Sequence, residues 1–177
     1  MKKNLFVSAM LMMGASLFIG CNKNNEEQQK VVKDEMTSEE KESAKKEISN
    51  VAKFIIDNAA KMDVETAMKP YLNSPDFLVV NPDGTHANYD EMRAKNIEVF
   101  KQLASFKQEN IKEDFRFITK DDVLFTWFGK NEVVLKNGDT IKNDSYIGTM
   151  LMKKIDGEWK IAFAQETASP TIEIKAK

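Results

Sequence analysis

The stretch 146–167 constrains the fold more than any other part of the chain. Two runs of β-favouring residues flank Asp156-Gly157, the strongest short-range signal for a hairpin. In the second run Trp159, Ile161, Phe163, Gln165 and Thr167 share one face, because side chains alternate along a strand. That face is apolar until it reaches Gln165, and strict alternation turns Glu166 to the opposite side. A second turn signal of the same kind, Asn137-Gly138, closes a long strand over 123–135, and 140–143 is expected to pair back. Upstream, 111–119 alternates with Ile111, Phe115 and Phe117 on one side. Trp127 and Phe128 are neighbours, so only one of them can face the core.

The first half of the domain reads as helical. Thr37 and Glu40 form a capping-box pattern, and Ala44, Ile48, Val51, Ile55, Ala59 and Met62 recur at spacings of three and four. This predicts one amphipathic helix to about residue 61, lying on the sheet. A partner helix is the other surface such a stripe could meet. Asp63 opens a short second helix, and Pro70 prevents its extension. A strand over 77–80 runs into the Asn81-Pro82-Asp83-Gly84 turn. Asn88 and Glu91 cap another helix, ending near residue 103, with Met92, Val99, Phe100 and Leu103 expected inward. Helices gathered on one side of an antiparallel meander make an α+β domain.

Ahead of this domain the chain changes character. Lys2 and Lys3 precede an apolar run of about fifteen residues, shorter than the roughly 20 that span a bilayer, which is the form of a secretory signal segment. The run ends in Gly20-Cys21, which resembles the lipobox of bacterial lipoproteins, with Phe18 where leucine is usual. The resemblance implies lipidation of Cys21 and attachment to a membrane. Asn22, by similarity to the sorting rule of enteric bacteria, implies the outer membrane of a Gram-negative cell. The expected division is a signal peptide at 1–20, a disordered tether at 21–36, a domain at 37–169 and a C-terminal tail at 170–177. The polar tether lacks the apolar residues needed to order itself.

Charge and composition exclude several functions. The net charge is −2, and loss of Lys2 and Lys3 with the leader takes it to −4. Nothing in such a chain attracts nucleic acid. One cysteine and one histidine cannot make an internal disulfide or a Cys/His zinc site. No metal and no cofactor is expected.

The order of elements, with Lys61-Met62-Asp63-Val64-Glu65-Thr66-Ala67, Tyr71-Leu72, Asp76-Phe77-Leu78-Val79-Val80, Gly84, the helix from Tyr89 and Asp156-Gly157-Glu158-Trp159-Lys160-Ile161, resembles the SnoaL-like branch of the nuclear transport factor 2-like superfamily. The resemblance covers about residues 37–169. It implies a cone-shaped, cystatin-like α+β fold. In it a curved antiparallel sheet wraps the long first helix, with a pocket between them, and dimers often form through the outer sheet face. The superfamily holds isomerases, cyclases and dehydratases as well as proteins without a reaction. Many SnoaL-like members carry a histidine in the last strand, near the place of Gln165, and glutamine cannot exchange protons.

Tyr71, Trp127, Tyr146, Phe163 and Gln165 are the candidates for lining a ligand pocket. His86 and Asp76 are the candidates for a catalytic base, against their plainer roles as a loop residue and a turn cap. The expected function is non-catalytic binding of a small apolar or amphipathic ligand, or of a partner protein, at the cell envelope. The alternative is a SnoaL-like isomerase, dehydratase or hydrolase. A purely structural homodimer would follow from a filled cone with an apolar outer face.

Overall fold

The computed structural model describes residues 35–174. The signal segment, Cys21 and most of the expected tether therefore lie outside the described residues. Helix α1, Ser38–Ala60, begins with the complete capping box: Thr37 Oγ1 accepts from the Glu40 amide, and Glu40 accepts from the Thr37 amide at 2.7 Å. Met36, assigned by sequence to the tether, packs against the core. Helix α2, Val64–Ala67, is capped by Asp63, which accepts from the Thr66 amide. Two short strands follow, β1 at Leu78–Val80 and β2 at His86–Ala87; the second was not expected. Helix α3, Tyr89–Gln102, has its own capping box through Asn88 and Glu91. Of its expected inward residues Met92 is buried and Phe100 packs on the core, but Val99 is 42% exposed. Ile97 and Phe100 carry the second half of α3 onto the core, and Val99 lies on its outer face.

Four long strands follow: β3 (Leu103–Phe117), β4 (Asp122–Leu135), β5 (Thr140–Ile155) and β6 (Glu158–Glu173). The sheet order is β2-β1-β6-β5-β4-β3, antiparallel except that β1 runs parallel to β6. The β5–β6 hairpin turns at Asp156 and Gly157, both at positive φ (51° and 85°), as a primed turn requires. β6 continues through Pro170, which sits opposite Asn143, beyond the expected start of the tail.

Strands of 14 to 16 residues are well above the usual length and cannot stay flat. They bend at bulges. One residue is extra on β3 between Asn110 and Lys112, and another on β6 between Ile161 and Phe163. The first explains why Ile111 is 57% exposed, while Phe115 and Phe117 point inward as expected.

The bent sheet closes on α1. Ile48, with no exposed surface, shares one buried cluster with Val123, Phe125, Met152, Trp159 and Ile161. Two polar struts tie the same part of the helix. Glu47 accepts from Trp159 Nε1 at 2.8 Å and from Lys154 Nζ at 2.9 Å. Ser49 Oγ donates to Glu113 on β3 at 2.6 Å. The opposite half of α1, from Ala52 onward, does not meet filled sheet. It borders a hollow.

Candidate functional site

The hollow is a cavity of about 220 Å³. Ala52, Ile55, Ile56 and Ala59 of α1 form one wall, continued by Val64, Ala67 and Met68 of α2. Trp127, Gly148, Met150 and Ala164 form the sheet side. Phe100 and Asn96 of α3 and Phe106 and Gln108 of β3 complete it.

Trp127 faces inward and Phe128 outward, where Lys112 Nζ lies 5.3 Å from its ring. The indole is accommodated by two glycines. Gly148 is its register partner on β5, and a Cβ there would stand 3.8 Å from Trp127 Cε3. Gly129 lies two residues on, where a Cβ would come 2.7 Å from the indole and closer still to the Glu109 carbonyl oxygen. Tyr146 meets Trp127 edge to face, with centroids 5.5 Å apart. Among the described residues Trp127 Nε1 is a buried donor without an acceptor.

The β6 bulge decides which side chains reach the cavity. Met152 pairs with Ile161 and Leu151 with Phe163, so Ala162 is the extra residue. Past it, the inward and outward positions exchange. Trp159, Ile161 and Ala164 are buried. Phe163, expected in the pocket, is instead paired with Leu151 and Leu78 and does not border the cavity. Gln165 touches the cavity boundary but is exposed overall. Glu166, which strict alternation turned outward, lines the cavity. A period-two pattern cannot register a one-residue slip, so the carboxylate was assigned to the wrong face.

Glu166 is the electrostatic centre of the site. Burial pushes its carboxyl above the ordinary carboxylate range, opposed by a hydrogen bond from Tyr146 and, at longer range, by the positive charge of Lys95. Tyr146 is pushed well above the usual phenol range by burial first, then by the neighbouring Glu166 charge. Tyr71, also on the cavity, is raised by burial and by Glu166. Both phenols therefore stay protonated at neutral pH and can donate, while an ionised Glu166 can only accept.

Of the sequence candidates, Tyr71, Trp127, Tyr146 and Gln165 border this cavity, Gln165 from an exposed position, and Phe163 does not. His86 and Asp76 do not border it; both are exposed, His86 in β2 and Asp76 in the loop before β1. Asn96, Gln108 and Glu166 were missed as site residues. Asn96 and Gln108 sit among charged and polar neighbours with no pattern to set them apart. Among the described residues no cluster of metal-ligating side chains occurs, and no helix is long and apolar enough to cross a membrane.

No protein-family model matches this chain, and no curated protein matches it. Solved structures do. A candidate scytalone dehydratase of Novosphingobium aromaticivorans superposes with a TM-score of 0.71 at 10% identity, over 79% of this chain and 94% of that one. A hexachlorocyclohexane dehydrochlorinase of Novosphingobium barchaimii gives 0.66 at 12% identity, over 77% and 94%. A nuclear transport factor 2-like superfamily protein of Salmonella enterica gives 0.65 at 14%, over 72% and 92%. The fold is nuclear transport factor 2-like. At these identities the likeness concerns the backbone and not the chemistry. Within the nuclear transport factor 2-like cone, this chain places a carboxylate and two phenols in an apolar hollow.

Proposed function

We propose that this is a lipid-anchored envelope protein whose cone binds a small apolar or amphipathic molecule without transforming it. The cavity carries this reading: about 220 Å³, mostly apolar walls and a few polar groups, the usual composition of a small-molecule site. A cavity of roughly 150 Å³ admits benzene, so a ring with a short side chain is the fitting size. Indole, with an apolar body and one N–H donor, is a suitable probe. It is expected to bind and to change the tryptophan-region spectrum. Ala52→Phe, which fills the cavity from α1, is expected to weaken indole binding about tenfold or more, or at least about 1.4 kcal/mol. Equal binding by parent and variant would remove the cavity from consideration.

A second reading is favoured by one observation, the half-buried Glu166 carboxyl near Tyr146 on the cavity wall. It is an isomerase, dehydratase or hydrolase acting on a small hydrophobic substrate, with Glu166 rather than His86 or Asp76 as base. The candidate dehydratase and the dehydrochlorinase of the same fold lend it support by analogy. Ligand extracted from the purified protein and returned to it separates the two readings. Recovery unchanged supports binding; conversion supports catalysis.

The anchor rests on Lys2, Lys3, the apolar run and Gly20-Cys21. Each buried methylene of an acyl chain contributes about 0.8 kcal/mol, and two signals make attachment stable. In cells fed labelled palmitate the protein is expected to carry label and to sediment with outer membranes. Cys21→Ser is expected to lose both properties. Membrane attachment that survives Cys21→Ser would refute the lipid anchor. Pairing of two copies through the outer sheet face is part of the same proposal.

A further inference from the structure

We propose that the cavity selects a small apolar molecule bearing an ammonium group, with its charge against Glu166 and its body against Trp127 and α1. This rests on the reading of the hollow as a binding site and adds the class of ligand. Among the described residues, none that borders the cavity is a lysine or arginine. The half-buried Glu166 carboxylate is thus on the wall of a largely apolar hollow, in register with Gly148 and near Tyr146, with no lysine or arginine bordering the space. Lys95 acts on it from an exposed position on α3 and does not line the cavity.

Three physical terms favour a cationic guest. A charge pair in a poorly hydrated site interacts more strongly than one in water. A buried charge that lacks a partner is costly, and a guest of opposite sign removes that cost. Aromatic rings attract cations, and Tyr71, Phe100, Phe106, Trp127 and Tyr146 all border the space. Because Tyr71 and Tyr146 resist ionisation, they add no second negative charge. An anionic guest meets the carboxylate with repulsion. A neutral guest of equal size leaves it unpaired.

Three probes of one shape test this in the purified full chain by calorimetry at neutral pH: phenethylammonium, phenethyl alcohol and 3-phenylpropanoate. Phenethylammonium is expected to bind about tenfold or more tighter than the alcohol, and 3-phenylpropanoate not measurably. Glu166→Gln keeps the side-chain shape and an acceptor for Tyr146. It is expected to abolish the preference, bringing the ratio of ammonium to alcohol affinity to within about threefold of one. Alcohol binding as tight as ammonium binding in the parent, or an unchanged preference in Glu166→Gln, overturns the ammonium proposal and leaves the binding site standing. Failure of all three probes to bind overturns the site as well.

Discussion

Glu166→Gln is expected to melt a few degrees above the parent protein at pH 8, with the advantage vanishing near pH 4. Burial raises the folded-state pKa of Glu166 above the ordinary 4.5. Below the unfolded value both states carry the proton, and the group has no effect on stability. Between the unfolded and the folded value the unfolded chain has released its proton while the folded chain holds it, so the penalty on folding builds across that window and stays in full above it. Glutamine removes that penalty and preserves the contact with Tyr146. The other groups near the carboxyl are Tyr146 on β5, Tyr71 before β1 and Lys95 on α3. The phenols, both raised, do not ionise over this range. Melting curves of parent and variant between pH 4 and pH 8 check the prediction. A variant less stable than the parent at pH 8 would mean that the carboxylate is held favourably, and the account of the site would fail. A gain in stability on removing an ionisable group from a cavity is what a functional residue shows when its environment suits a ligand better than the fold.

Gly129→Ala is expected to lose at least about 3 kcal/mol, the upper part of the range for overpacking. The added carbon would meet the Glu109 carbonyl oxygen on the adjoining strand and the Trp127 ring at 2.7 Å. The ring could turn aside, but the carbonyl belongs to the β3 backbone beside a bulge and cannot retreat without disturbing the ladder. Gly148→Ala provides the contrast. Its nearest neighbours would be Met150 Cε at 3.4 Å and Trp127 Cε3 at 3.8 Å, ordinary contact distances. Urea titration of the two variants is expected to show a large fall in midpoint for the first and a small change for the second. Similar midpoints would mean that β3 and β4 have more freedom at Gly129 than the register implies.

Local signals made much of the fold legible. The capping boxes at Thr37 and Asn88, the Asp156-Gly157 turn and the stripe on α1 each depend on residues within one or two turns of one another, and each formed as read. Trp127 could be placed in a pair with Phe128 without deciding which faced inward; the glycine opposite it at position 148 is the feature that resolves the choice. The first half of β3 was not legible, because Ala104, Ser105, Lys107 and Gln108 have no alternation of their own and are strand only through pairing with β4. Val99 misled because the buried stripe of α3 runs through Met92, Ile97 and Phe100, which leaves Val99 on the outer face. The site suffered most. Phe163 and Glu166 exchanged faces at Ala162, and that exchange depends on how β5 and β6 are registered across the sheet.

The extra residue at Ala162 has a consequence for tracing this pocket through descent. A one-residue slip that draws Ala162 into the ladder opposite Leu151 would set Gln165 where Glu166 now stands, an amide for an acid at the same physical spot, with no residue changed. Genealogies of this cone are therefore better aligned by orientation than by column, since two chains with identical letters in their final strand can show the guest opposite chemistry.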